Sequence, residues 1–220
     1  NTARPPVKQE VVPTGTNLIT DPSLEATAIG EKFPTGWGSG NLIPPGAYQF
    51  SVAEGGKTGK RGWQIEGDGQ YAVIPTNRPA VDRALRYGAR GWVRLEAGSA
   101  QLKILYFDGN GRYLGENRSA ITNKRDGWHQ LTMLDDLAKW PEARHLSLAL
   151  TLIGKGKAVF DDLEFTAFDA KKLPANFEKQ WNRALHDGFY ADGNKPEVTA
   201  TLAIGAIQEH LKNNISSYHA

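Results

Sequence analysis

Residues 88–116, GARGWVRLEAGSAQLKILYFDGNGRYLGE, constrain the fold more than any other stretch, because their side chains alternate with period two. Trp92, Val93 and Leu95 fall among Arg90, Arg94 and Glu96, and then Leu102, Ile104 and Tyr106 alternate with Gln101, Lys103 and Leu105. Successive side chains of a strand point to opposite faces, so this pattern predicts half-buried strands. Ala97-Gly98-Ser99-Ala100 separates the two runs, and Asp108-Gly109-Asn110-Gly111 ends the second. Glycine and Asx residues accept the positive φ angles of hairpin turns, so both segments read as turns between antiparallel strands.

The same signature recurs along the chain. Residues 47–52 (AYQFSV), 62–65 (GWQI), 71–74, 128–134 (WHQLTML), 146–153 (LSLALTLI) and 158–165 (AVFDDLEF) are further strand candidates, whereas 75–86 is too rich in proline and charge for a central strand. Many short strands at regular spacing with glycine turns predict an all-β fold, an antiparallel sandwich or jelly roll. Residues 1–16, with Pro5, Pro6 and Pro13 and no periodicity, read as an arm or linker. From residue 170 the period changes. Phe177, Trp181 and Leu185 recur between Pro174 and Gly188, and Val198, Leu202, Ile207 and Leu211 follow Pro196, which predicts a short helical C-terminal extension over 170–220.

Composition excludes several functions. The 220 residues suffice for one main domain. The 26 basic and 24 acidic residues leave a net charge of +2, and the basic residues are scattered, so a nucleic-acid partner is unsupported. Mean hydropathy is −0.48, and no apolar run approaches the roughly 20 residues of a membrane span. The absence of cysteine removes disulfides, thiol nucleophiles and cysteine metal sites. The histidines at 129, 145, 186, 210 and 219 form no HxH or HExxH pattern, and GxSxG is absent. Asp135-Asp136 and Asp161-Asp162 are sequence neighbours, not carboxylates set about 5–9 Å apart across a glycosidic bond. Catalysis by this chain is not expected. A start at Asn1 without methionine suggests a processed or excised piece of an exported bacterial protein, whether secreted, periplasmic or on the cell surface.

Several motifs occur in a telling order: Asn17-Leu18-Ile19 with Asp21 and Glu25; Thr35-Gly36-Trp37; Tyr87 and then Gly91-Trp92-Val93-Arg94; Tyr106-Phe107-Asp108-Gly109-Asn110-Gly111; Gly127-Trp128; and Gly156 with Phe160-Asp161-Asp162-Leu163-Glu164-Phe165. The series resembles the carbohydrate-binding modules of the galactose-binding-like jelly-roll group, which includes families four, nine, sixteen and twenty-two. The resemblance implies a non-catalytic module, commonly beside a catalytic domain, that anchors a larger exported protein to a polysaccharide or oligosaccharide. It also implies a two-sheet antiparallel β-sandwich, a jelly roll, over residues 17–169, with a structural calcium and an aromatic-lined sugar site. The alternative is a sandwich of the same fold that has no glycan site and serves as a structural or protein-interaction spacer.

Candidate residues follow. Calcium takes six to eight oxygen ligands. By the resemblance, Glu25 meets Asp161 or Asp162, with carbonyls of the 57–61 loop completing the shell. Alternation places Asp161 on the face of Leu163 and Phe165, and a carboxylate buried there needs a metal or a cation such as Arg61 or Lys60. Asp108 to Arg112 begins like an EF-hand loop but has Tyr113 where that loop needs glycine, so it reads as a hairpin turn. Sugar binding needs a flat apolar platform ringed by hydrogen-bonding groups. Trp37, Trp92 and Trp128 match core positions of the resembled group, and Trp63 shares the parity of Ile65. Tyr48, Tyr71, Tyr106, Tyr113 and Trp140 are therefore the platform candidates, with Arg94, Gln49, Gln64, Gln101, Lys103 and Glu116 as polar neighbours.

Overall fold

The structure is a computed structural model, and it describes residues 15–38, 47–69, 71–179 and 181, with only the backbone of Tyr71. Two long strands run through the sandwich and build both of its layers. They are β5 (Leu85–Phe107), of 23 residues, and β8 (His145–Asp169), of 25. They pair antiparallel from Leu85↔Asp169 to Phe107↔His145. The other strands are β1 (Thr16–Asn17), β2 (Tyr48–Glu54), β3 (Arg61–Gly67), β4 (Tyr71–Pro75), β6 (Tyr113–Arg118) and β7 (Trp128–Leu134). In the first layer the order is β2-β3-β8-β5-β7, using the C-terminal half of β8 and the N-terminal half of β5, and β1 pairs with Thr166 and Ala167. The second layer has the order β4-β8-β5-β6 and uses the other two halves. Every pairing is antiparallel, and the two-layer jelly-roll expectation holds.

The hairpin expected at residues 97–100 is absent. Those residues form a corner at which β5 passes from one layer to the other, and its two halves pair with β8, never with each other. Gly98, at φ 80°, turns the strand, and β8 turns beside it at Gly154, at φ 77°. The β5–β8 register shifts at Leu95/Ala97 and again at Ala97/Ser99, so β-bulges carry the bend. Residues 146–153 and 158–165, read separately from the sequence, are likewise one bent strand. The turn at 108–111 is a true hairpin, closed by Asp108 N–H donating to Arg112 O at 3.0 Å, and it joins β5 to β6.

Between the layers lies the core. Leu102, Ile104 and Tyr106 of β5, with Leu146, Leu148, Leu150 and Leu152 of β8, face Val52, Trp63, Ile65, Val93, Leu95 and Phe160 from the first layer. Each such side chain contributes about 1.5–3 kcal/mol by burial. A one-residue slip would turn the whole set to solvent, so the register is strongly specified. Trp63 is fully buried, with the Trp37 ring 5.3 Å and the Phe33 ring 6.0 Å from its own.

After β8 a 3₁₀ turn, Ala170–Lys172, is capped by the Asp169 side chain, which accepts from Lys171 N–H. Helical residues begin at 177. Trp181 is 1% exposed and donates Nε1–H to Met133 O at 3.0 Å. Its ring lies flat on Gly88, where a Cβ would come within 2.7 Å. Leu185, the helix expected at 198–211 and residues 1–14 of the arm lie outside the described residues.

Candidate functional site

Alternation that sends Leu102, Ile104 and Tyr106 inward sends Gln101, Lys103, Leu105 and Phe107 outward. With Val73 of β4, Thr151 of β8, and Tyr113, Glu116 and Arg118 of β6, they line a groove of about 630 Å³ across the outer face of the second layer. That size falls within the roughly 300–1,000 Å³ of small-molecule sites. Its floor is a separate apolar cluster of Val73, Leu105, Phe107 and Ala149.

The polar groups of the groove are ordered around one carboxylate. Lys103 Nζ lies 2.9 Å and Arg118 Nε 2.6 Å from Glu116 Oε1, and the Tyr113 hydroxyl donates to Oε2 at 3.0 Å. Burial alone would raise the Glu116 carboxyl. The hydrogen bond and charge of Lys103, helped by Tyr113 and Arg118, outweigh it and hold the group below the usual glutamate range. Gln101 Nε2 donates to Ser119 O at 2.7 Å. Thr151 Oγ1 is buried at the groove without a hydrogen-bond partner, a state that costs about 1–3 kcal/mol. Tyr113 stands at the rim, 50% exposed, with its ring edge-to-face on Phe107 at 6.0 Å. Over the Phe107 ring the Arg78 guanidinium stacks at 3.8 Å and donates to Gly111 O at 3.2 Å.

Of the six residues expected to hold a sugar, the groove contains Tyr113, joined by the expected polar neighbours Gln101, Lys103 and Glu116. Tyr106 is wholly buried; it stacks on Trp140 at 5.6 Å and its hydroxyl accepts from Asp136 N–H at 3.0 Å. Its parity with Leu102 and Ile104 puts it in the core, and burial pushes its hydroxyl pKa up. Trp140 is a plug over Gly115, where a Cβ would lie 2.0 Å from its ring. Tyr48 is buried in the core on β2. The Tyr71 backbone pairs with Ile153, and its side chain lies outside the described residues. Arg94 is on the opposite side of the molecule, on the outer face of the first layer, with its guanidinium 5.1 Å from the Trp128 ring.

Trp37 and Trp63 are core residues as expected, but Trp92 and Trp128 are only partly buried. Trp92 alternates with the core residues Val93 and Leu95 and faces outward beneath Lys57 Nζ, 4.6 Å away. Phe107, Arg78, Arg118 and Thr151 were not expected at the site. The parity of Phe107 with Lys103 and Leu105 is the signal that would have found it.

At the other end of the fold, Glu25 and Asp161 converge on the 55–61 loop, and the loop offers them donors. Lys57 and Thr58 N–H donate to Asp161 Oδ2 at 2.6 and 3.1 Å, and Lys60 and Arg61 N–H donate to Glu25 Oε1, each at 2.8 Å. Thr58 Oγ1 donates to Asp162 Oδ1 at 2.6 Å. The Arg61 guanidinium donates to the carbonyls of Glu25 and Thr27. Calcium needs converging oxygens, and here amide hydrogens and a guanidinium hold those places, so this arrangement does not fit the ion. Among the described residues no three of His, Asp and Glu converge as metal ligands. Asp161 is fully buried, but not on the face of Leu163 and Phe165. Asp162, at φ 47°, is the extra residue of a β-bulge that breaks the alternation. Burial raises the Asp161 carboxyl above the usual aspartate range despite the amides it accepts. The backbone hydrogen bonds from Arg61 and Lys60 lower that of Glu25.

No family model and no curated protein matches the sequence. Solved structures do match in shape. A cyclase from Fischerella sp. TAU superposes with a TM-score of 0.54 at 13% identity, over 71% of this chain and 99% of the cyclase. The CBM22-1 xylan-binding domain of Paenibacillus barcinonensis Xyn10C does so at 0.52 and 20% identity, over 73% of this chain and 99% of that one. The arabinose-bound MgGH51 α-L-arabinofuranosidase matches at 0.53 and 16% identity over 69% of this chain, which spans only 26% of that enzyme. Among the described residues no helix is long and apolar enough to cross a membrane. The chain has a β-sandwich jelly-roll fold, shared with carbohydrate-binding modules such as that xylan-binding domain.

Proposed function

We propose that the chain is a non-catalytic glycan-binding module that holds a saccharide in the groove of the second layer and tethers a larger exported protein to a polysaccharide. The observation that carries this reading is the groove itself, with an apolar floor, an exposed tyrosine at the rim and hydrogen-bonding side chains along it. A sugar ring has an apolar CH face and a polar edge, and it needs both kinds of surface. The likeness in fold to a xylan-binding domain supports the same reading. Among the described residues Glu116 is the single carboxylate lining the groove, and Lys103, Arg118 and Tyr113 hold it. Glycoside hydrolysis commonly employs two carboxylates, so the groove is better suited to binding. A neighbouring catalytic domain would gain from the tether through effective concentration at its substrate.

The test is retention of the intact chain on soluble and insoluble polysaccharides, neutral and acidic, in native affinity gels, with Tyr113→Ala alongside. Retention that Tyr113→Ala weakens is expected. Retention of none would leave a spacer of the same fold.

A further inference from the structure

The groove has an unusual charge for a site that would take a neutral sugar. Three cationic side chains, Arg78, Lys103 and Arg118, line it against the single carboxylate of Glu116. Glu116 already accepts from Lys103, Arg118 and Tyr113, so it has little capacity left to answer Arg78. The described contacts of Arg78 are the Phe107 ring beneath it and the Gly111 carbonyl beside it, and neither is an anion. Stacking on an aromatic ring fixes the plane of a guanidinium and leaves its edge donors aimed outward. That fork matches a carboxylate in a bidentate pair. Tyr113, packed against the same Phe107 ring, sets an exposed apolar face next to the fork.

Resting on the reading of the groove as a glycan site, we infer that its ligand is a carboxylated glycan, a polymer containing hexuronate residues. One uronate ring rests on Tyr113 while its carboxylate meets Arg78, and Arg118 at the open edge receives the next acid along the chain. Arg78 and Arg118 are both exposed, so salt screens the contribution of each, and the fixed geometry of the Arg78 fork is what separates it from bare charge attraction.

The experiment measures affinity of the intact chain for polygalacturonate, for its fully methyl-esterified form, for dextran sulfate and for neutral xylan, at low salt and at about 0.15 M. Expected is binding to polygalacturonate about tenfold tighter than to the ester, surviving the higher salt. Arg78→Gln should lose about tenfold or more on polygalacturonate and Arg118→Gln about threefold, each a larger loss than the same variant shows on xylan. Arg118 is a surface residue, so its variant keeps the test valid should Arg78→Gln fail to fold. If the ester or xylan binds as well as the acid, the inference falls and the glycan module stands. Dextran sulfate matching polygalacturonate, with both lost at the higher salt, would mean bare charge attraction and would also overturn it. Binding to none of the four removes the inference together with the module.

Discussion

The two outward faces of the sandwich differ in whether an aromatic ring is left uncovered. On the outer face of the first layer the described tryptophans lie under cations of the same chain: Trp92 under Lys57, Trp128 under Arg94, and Trp181, itself a lid over Gly88, under Arg90 at 4.6 Å. On the second layer Arg78 likewise covers the buried Phe107 ring, but Tyr113 at the rim of the groove keeps half its surface exposed. The face with more aromatic area is thus the closed one. Aromatic content does not locate a binding surface; what matters is whether the chain has already used those rings for its own packing.

The largest expected effect tests closure. Trp181→Ala removes a buried indole that fills the space over Gly88 and the hydrogen bond to Met133. It should cost about 3–5 kcal/mol in denaturant unfolding of the full chain. Glycan affinity at the groove should not change. A stability loss under about 1 kcal/mol would mean that the first face is not closed by this residue.

Next comes the clasp between Asp161 and the 55–61 loop. Asp161→Ala leaves the amides of Lys57, Thr58 and Asp162 without their acceptor and should cost about 3 kcal/mol. Chelation should leave the Tm of the unmodified chain where it was, since donors and not oxygens surround the carboxylates. A Tm that drops on chelation and recovers with calcium would restore the metal.

At the groove the expected effect is on binding. Tyr113→Ala should weaken glycan affinity about tenfold, roughly the worth of one aromatic contact, and shift stability by under about 0.5 kcal/mol. The half-buried Glu116 and the buried Asp161 should also separate by pH. The folded-state pKa of Glu116 is lowered, so the stability it contributes is present above the unfolded value and lost as pH falls through the folded one. The folded-state pKa of Asp161 is raised, so the stability linked to its protonation is present below the unfolded value and lost as pH rises through the folded one. Stability curves of Glu116→Gln and Asp161→Asn against pH should therefore depart from the unmodified chain in opposite directions. Departure in the same direction would contradict the contrast.

Most strands were legible because period two survives wherever a strand buries one face, as at Gly91 to Glu96. The continuity of β5 and β8 was not. A glycine at positive φ serves a hairpin and a layer-crossing corner alike, and Gly98 differs from Gly111 only in what the next residues pair with. Within the site, parity alone would have exchanged Tyr106 for Phe107, since the first shares the face of Ile104 and the second that of Lys103. Arg78 was illegible, because it comes from the proline-rich stretch 75–86 and reaches Phe107 only through the fold. Asp161 escaped because a bulge at Asp162 cancels alternation where it was being used.

Arg94 gives the smallest expected effect and the sharpest control. It was a sugar-site candidate by composition, polar and beside aromatics, yet it lies on the closed face with its guanidinium over Trp128. A partly exposed cation–π contact is worth about 0.5–1 kcal/mol, so Arg94→Gln should lower stability by no more than that. Its effect on glycan affinity should be under about twofold, against the tenfold loss for Tyr113→Ala, when both variants are measured on one polysaccharide. Equal losses would place ligand on both faces, and the covering of Trp92 and Trp128 by cations would then be a feature that a glycan displaces.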